Sequence, residues 1–571
     1  MMKNALWKTV IGGFATAVFC VAACTQSFGA EAKSVEDMEK ELNALKTSIS
    51  SLTEQIESVK QEKVVSASSD TKEDVEALKN EVSTLKEEMK TANQAEQTLK
   101  AEDIAGNVYS EFAKKVKLGG QIRTRAEYAN GFYQTPTNNA TLGGAARPPN
   151  QANPATNAAA SIDDDYVMNQ TRIWADADVN EHLRVFIQLQ DARVFGAEGT
   201  TVGFANAGVE NSIFDLHQGY FDLKKLFDLP LTVRVGRQEI VWGDHRVIGN
   251  FVWSNYGRVF DGGRFLWDTD TIHAEVIATK VDEDGYYAVD TSDNSDENMY
   301  AAQLAFKKLV PGALLELMYI QKNDQDGSAG NATLAGTGYG VPNDANGSPN
   351  NNPGVVIHDI GARIDGKLPN LDAVDYTLES HGQFGDYGTL DQEAWAFAGR
   401  VGYTFKEASW KPRIGFEYDY ASGDDDASDG DHNTFDNLYP TNHWQGNYGF
   451  IDLISWQNLH DFRTNIKVSP TSKMTVQADY HYYLTAEEGD GWYLANATLA
   501  TPRPLDANGD SAYNTDDDEL AQEVDLTVSY QLYKNVSILA GYSWFGAGNW
   551  IENNIDDIDT SWGYLQTTVT F

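Results

Sequence analysis

From Val116 to Tyr128 the side chains alternate between two unlike sets. Leu118, Gly120, Ile122, Thr124, Ala126 and Tyr128 share one side, while Lys117, Gln121, Arg123, Arg125 and Glu127 share the other. A period of two is that of a β-strand, whose successive side chains point to opposite faces. The same rule puts Leu231, Val233 and Val235 against Thr232 and Arg234. Arg234 between valines is too polar for a soluble core. A closed wall with an apolar outside and a wet inside accommodates both faces.

The test repeats along the chain. Candidate strands fall at 116–128, 165–179, 182–195, 213–224, 231–241, 262–268, 271–281, 298–307 and 313–321. Further ones fall at 355–367, 375–385, 393–405, 411–422, 457–468, 474–484, 521–530, 535–545 and 562–571. The fold class is an antiparallel all-β transmembrane barrel of about 18 strands, an even number as such barrels require. Its connections alternate between short turns, as at Asn180-Glu181 and 532–534, and long segments at 322–354, 423–456 and 485–520, which read as external loops. The chain ends TTVTF, so its last strand closes on an aromatic residue, Phe571, and barrel-assembly machinery is an expected partner. Mean hydropathy of -0.45 excludes a helical membrane bundle but not a barrel, whose alternation averages out.

Two different segments precede the barrel. Residues 1–30 read as a signal peptide, with Lys3 and Lys8 before an apolar run from Val10 to Ala23 that is too short to span a membrane. Cleavage after small residues near Ala30 competes with a lipobox ending at Cys24. Both cysteines, Cys20 and Cys24, lie here, so no disulfide can form within the mature chain. Residues 31–105 read as an α-helical coiled coil in the periplasm. Val35, Met38, Leu42, Leu45, Ile49, Leu52, Ile56 and Val59 step by three and four, and a second seam runs from Val75 to Ala92. Such a rod is a handle for homo-oligomerisation. Residues 106–571 then form the barrel.

Several motifs resemble one family. VGRQEIVWGDHRVIG (Val235 to Gly249), WSNYGRVFDGGRF (Trp253 to Phe265), QLQDARVFG (Gln188 to Gly196), YASGDDD (Tyr420 to Asp426), TFDNLYPTNH (Thr434 to His443), WQNLHDFR (Trp456 to Arg463) and QEVDLTVSY (Gln522 to Tyr530) occur in one order. In this the chain is similar to the alginate-export family of outer-membrane porins, over residues 116 to 571. The resemblance implies a channel in the outer membrane of a Gram-negative bacterium that passes small or polymeric hydrophilic solutes, anionic ones among them. It also implies that Arg237, Arg246, Arg258 and Asp261 stand at the pore constriction. The residues themselves leave two readings of that group open, a constriction or a salt-bridged corner inside the barrel. Arg237 has the outward parity of Val235, so a bulge must turn it inward or the strand must end before it.

By register the lumen receives Arg123, Arg125, Arg172, Arg184, Arg234, Arg264, Arg363, Arg400, Arg413 and Arg463, with Glu417 and Asp419 among the facing carboxylates. Charges of both signs in a narrow wet passage select and orient solutes, and arginine holds carboxylates through two parallel hydrogen bonds. No arginine precedes Arg123, so the rod's cations are all lysine. The net charge of -41 would repel a polyanion unless the lumen is locally positive. Asp506, Asn508 and Asp510 have the spacing of a calcium loop, but Ser511 and Asp517 depart from its pattern, which makes a solvated acidic loop the better reading. With no HExxH or GxSxG motif the expectation is a channel, not an enzyme, with no cofactor and no nucleic-acid partner. A second role is open to such a chain, as a barrel that anchors the periplasmic rod to a partner or the cell wall.

Overall fold

The computed structural model describes residues 114–134, 160–195, 214–282, 297–324, 354–426, 429–495, 499–500 and 511–571, with isolated positions at 141–146 and between 47 and 90. The chain divides into two units, Met1–Lys114 and Lys115–Phe571. In the first, the described positions between 47 and 90 are helical and exposed. The signal peptide and the seams of the coiled coil lie outside the described residues. So does the Asp506-Asn508-Asp510 candidate.

Among the described residues the second unit is one antiparallel sheet closed on itself. Eighteen strands make its wall. In chain order they are β1 (Val116–Gln134), β2 (Ala160–Asp178), β3 (Leu183–Val194), β4 (Asp215–Leu223), β5 (Leu231–Gln238) and β6 (Phe260–Asp268). Next come β7 (Ile272–Asp282), β8 (Glu297–Val310), β9 (Ala313–Asp324), β10 (Val355–Leu368), β11 (Leu371–Tyr387) and β12 (Leu390–Thr404). The wall is completed by β13 (Arg413–Ala421), β14 (Leu459–Thr471), β15 (Met474–Thr485), β16 (Glu519–Tyr533), β17 (Val536–Ala547) and β18 (Asp559–Thr570). Each predicted strand falls on one of these. A two-residue strand, Asp431–His432, pairs in parallel with Asp391 and Gln392 of β12, on the side where the pairing with β13 has ended.

Closure comes from β1, which pairs with β2 on one side and β18 on the other, from Gln121↔Thr570 to Asn130↔Ser561. The described wall then has no free edge, which is what lipid demands. Turns of two to eight residues join the strands at one end, where the wall begins and where the chain ends. Segment 239–259 and the described parts of 422–458 and 486–518 stand at the other. The outward face is apolar and exposed, with Leu118, Ile187, Phe265, Val276, Ile360, Trp395 and Leu565 between 42% and 78% accessible. In water that surface would be a defect; facing acyl chains it is the expected finish.

The interior departs from the wet lumen that alternation implies. Parts of the segments read above as external loops are folded inward, and their Phe435, Tyr439, Tyr448, Ile451, Trp456 and Trp492 are buried. They form one apolar cluster with Ile240, Trp242, Val247 and Ile248 of the 239–259 segment and with inward wall residues. The wall makes room for them by using small or flexible residues: Met299 and Ala301 on β8, and Ala394, Ala396 and Ala398 on β12. Apolar loop side chains had no other place to go.

At the seam, Gly120 and Phe571 exchange backbone hydrogen bonds of 2.8 and 3.0 Å. A Cβ on Gly120 would come within 2.2 Å of the Phe571 ring. Replacing Gly120 by valine should therefore cost about 1–3 kcal/mol of overpacking and lower the fraction of heat-modifiable, closed barrel on a semi-native gel. Unchanged closure would show that the ring moves away freely.

Candidate functional site: the clasped inner loops and the arginine row

The 239–259 segment enters the barrel between two sets of wall charges. Its Asp244 and Arg246 are separated by one residue, His245, and carry opposite signs. Asp244 accepts from Arg363 on β10 and from Arg400 on β12, at 2.9 Å each. Arg246 donates to Asp419 at 3.0 Å and to Glu417, both on β13, and to the Tyr448 hydroxyl of the second inner loop. Its guanidinium also lies 5.3 Å from the centre of the Trp456 ring. Burial works against that charge, but the Asp419 carboxylate, the Tyr448 oxygen and the Glu417 carboxylate outweigh it and keep Arg246 protonated. Between them His245 adopts a left-handed backbone, φ 59°, and stacks on Trp444 with ring centres 4.1 Å apart. The salt-bridged corner, one of the two readings the residues left open, is what these contacts describe.

The rest of the segment is held by wall arginines acting on backbone carbonyls. Arg123 donates to the oxygens of Val252, Trp253 and Ser254 at 2.7, 3.2 and 2.7 Å. Arg125 donates to the Trp253 oxygen at 2.9 Å, to the Glu127 carboxylate, and lies 4.0 Å over the Trp253 ring. Arg172 reaches Gln190, Glu239 and the Tyr256 oxygen, and His217 adds a 2.8 Å bond to Glu239. A buried loop exposes carbonyls that water no longer reaches, and a guanidinium with five donors satisfies several at once. Arg258 does the same between the two inner loops, donating to Pro440 at 2.8 Å, and burial pushes it down to about 10.

The second inner loop rests on the opposite wall. Arg463 on β14 binds Asp479 on β15 at 2.6 Å, Glu417 at 2.9 Å and the Gln445 oxygen at 2.6 Å. Glu523 on β16 accepts the backbone N–H groups of Phe450 and Ile451 at 2.7 and 3.1 Å. Only glycine fits before them: Gly449 has φ +81°, and a Cβ there would meet the Glu523 carboxylate at 2.3 Å.

A different group faces the turn-side lumen. Arg184, Asp222, Arg234 and Arg264 stand opposite one another in register across β3, β4, β5 and β6. Arg234 takes Asp222 in two bonds of 2.7 and 3.0 Å and lies 4.0 Å over Tyr220. Arg184 holds Asp176 at 2.7 and 3.1 Å, and Arg264 holds Glu275 at 2.6 Å. On the far wall Arg413 pairs with Asp375. These guanidiniums keep 23%, 19%, 11% and 20% of their surface, for Arg184, Arg234, Arg264 and Arg413. Arg237 and Asp261 are elsewhere. They pair with each other at 2.7 Å on the outer face of β5 and β6, because the strand continues through Arg237 with no bulge to turn it inward.

The model of the alginate export family matches residues 138–563. The chain belongs to the alginate export family. Among curated proteins none matches it. Two crystal structures resemble it in outline. Pseudomonas aeruginosa OccK11 (OpdR) is 11% identical, with a TM-score of 0.46 over 80% of this chain and 96% of that one. Acinetobacter baumannii OccAB3 is 8% identical, with a TM-score of 0.47 over 80% and 100%. The apolar outer band and the family membership make this an alginate-export barrel of a Gram-negative outer membrane, of the channel-forming kind.

In this alginate-export barrel the sixteen residues predicted as pore-lining therefore divide by task. Arg123, Arg125, Arg172, Arg363 and Arg400 grip one inner loop; Arg246, Arg258, Glu417, Asp419 and Arg463 tie the loops to each other and to the acidic wall. Arg184, Arg234, Arg264 and Arg413 remain open to solutes, and Arg237 with Asp261 faces outward. Sequence reasoning missed Asp222 and Glu239, and it did not give Asp244 or the inward-facing Glu523 the part they play in holding this network together. Asp244 had a signal, since it alternates in sign with Arg246 in a loop flanked by apolar residues.

Removing Arg246 should show the clasp. Arg246→Ala leaves Asp419 without its buried cation and Glu417 with Arg463 alone, at a cost of about 3–5 kcal/mol, and the 422–458 segment should become protease-sensitive in the folded barrel; undiminished protection would contradict the arrangement. A pH dependence follows from His245. Burial holds it at about 4 against an ordinary 6.5, so it is neutral in the stack. A depressed histidine contributes its full share above pH 6.5 and loses it as pH falls toward about 4. Loop opening, followed by proteolysis, should rise over that window in the native protein and be flatter in His245→Asn.

Proposed function

We propose that the barrel is an outer-membrane channel for hydrophilic solutes that carry carboxylates, with the clasped loops as its constriction. The observation that carries this reading is the row Arg184, Arg234 and Arg264 on β3, β5 and β6, with Asp222 of β4 between the first two and the last two directly opposite each other. Each already has a carboxylate partner on the wall and each keeps accessible surface, so a solute carboxylate can take the place of Asp222 on Arg234 while Arg184 still holds Asp222, or of Glu275 on Arg264 while His273 stays beside Glu275. The opposite wall carries Glu417, Asp419, Asp461, Asp479, Glu523 and Asp525. Those carboxylates are buried, with Glu417, Asp419 and Asp479 paired to Arg246 and Arg463, so the accessible arginines of the row are what a solute anion meets. The loop-end acidity of the chain repels anions from outside, which suits movement from the turn end outward. A cleaved signal peptide and a periplasmic coiled coil, through which copies associate, belong to the same reading. No catalytic step does.

The test is single-channel conductance of the refolded mature protein in planar bilayers, with reversal potentials in a salt gradient. Anion-selective current, blocked by an oligouronate and shifted toward cations by substituting Arg184, Arg234 and Arg264 with glutamine, is the expected result. Cation-selective current untouched by those substitutions would overturn the carboxylate assignment, and absence of current from Arg246→Ala as well as the native protein would overturn the channel.

A further inference from the structure

The lipid-facing surface differs between the two sides of the barrel. On β12 to β15 its side chains are bulky, with Trp395, Phe416, Phe462 and Tyr480 between 37% and 56% accessible. On β18, β1 and β2 the same face carries Gly563, Gly120, Ala126 and Ala175, and a polar row runs through it. Thr567 on β18, Thr124 on β1, Asn169 on β2 and Arg193 on β3 stand in direct register across four adjacent strands. Two residues nearer the turn end, Thr171 stands against Asp191. Asn169 donates to Thr124 at 3.0 Å, Thr171 to Asn169 at 3.2 Å and Arg193 to Asp191 at 2.7 Å. All share the outward parity of Ile122, Ile173 and Ile187, which are 39% to 42% exposed.

The row lies within the apolar band. On β1 the exposed Leu118 and Tyr128 stand ten steps apart, and ten steps of about 3.3 Å tilted by about 40° rise about 25 Å, the height of that band in an outer-membrane barrel. Thr124 is then about 10 Å below Tyr128, and crossing two strands of about 4.8 Å to β3 changes height by about 6 Å at most. Arg193 and Asp191 therefore stay inside the band, and the next outward residue on β3 is again apolar, Phe195 at 56%. Charge at that depth is costly against acyl chains and is relieved by a protein surface.

We propose that the outer face of β18, β1, β2 and β3 is an interface between two copies of this chain. The proposal rests on the outer-membrane placement. A twofold contact matches residue i with j and j with i, and this face offers one cation and one anion two residues apart on the same strand, with 32% and 19% of their side-chain surface accessible. With the axis along the membrane normal beside β3, Arg193 of each copy reaches Asp191 of the partner subunit. Asn169 and the threonines supply hydrogen bonds between copies, and the glycines and alanines let the two walls approach. The row carries no net charge, so it has no pull on an anionic headgroup, and headgroups lie above it.

The experiment uses the full chain expressed to the outer membrane, with one cysteine on either side of the barrel: Leu189→Cys, on the outward row of β3 two residues from Asp191, or Val401→Cys, on the outward row of β12. After oxidation in the membrane and extraction as heat-modifiable barrel, Leu189→Cys should run as a disulfide dimer and Val401→Cys as a monomer. Adding Asp191→Leu/Arg193→Leu, which makes that row of β3 uniformly apolar, should lower the dimer about tenfold. The swapped pair Asp191→Arg/Arg193→Asp should keep it, since a twofold contact needs one charge of each sign on each copy. Equal crosslinking of the two cysteines overturns the interface, as does a dimer undiminished by the leucines or a folded barrel that stays monomeric with Leu189→Cys. Association is read independently of current, so loss of carboxylate selectivity would leave the interface standing. A chain absent from the outer-membrane fraction would remove the placement and the interface with it.

Discussion

Eighteen strands enclose more space than the side chains of one wall can fill. A barrel of this width either holds water or takes in part of its own chain. Here the chain supplies the filling, and that choice creates a second demand. Inserted loops bring carbonyls and N–H groups into a place where water does not satisfy them, and each must find a partner. The arginines and carboxylates of the inner wall are those partners. Arg123, Arg125 and Arg172 serve carbonyls, Glu523 serves N–H groups, and the Asp244–Arg246 pair is matched by wall charges of opposite sign.

This explains why so many charges sit inside without making a simple electrostatic tube. Most are committed to holding the loops, and a buried ion pair of that kind specifies an arrangement more than it adds stability. What is left over faces the turn-side lumen. The row Arg184, Arg234 and Arg264 has the chemistry for a carboxylate because its own partners are carboxylates, and the exchange leaves the charge count of the wall unchanged. Structure and transport chemistry thus draw on one residue type, at different depths of the same barrel.

The wall was legible because alternation is a strong signal repeated over every strand, and because Phe571 and the short turns agree with it. The inner loops were not, since an irregular segment has no period to read. Two local hints were present. Phe435, Ile451, Ile454 and Trp456 are poor residues for a solvated external loop, and the inward positions of β12 read Ala394, Ala396, Ala398, too small to fill a lumen by themselves. Arg237 shows the limit of the family resemblance instead: the resemblance implied a place at the constriction, parity put it outside, and the strand kept that parity to its end. The roles of Arg246 and Arg258 could not be separated by spacing, because a constriction and a clasp use the same residue types.

The central claim is that the loop motif is locked to the wall by charge, and the most direct measurement is a double-mutant cycle on Arg246 and Glu417. Stabilities of the native barrel, Arg246→Met, Glu417→Gln and the double variant are compared by urea unfolding in lipid vesicles. The account predicts a coupling of about 2 kcal/mol or more, with the double variant less damaged than the sum of the two singles. Additive losses, with coupling near zero, would mean that the loop enters the barrel for its apolar residues alone and that the ion pair is incidental.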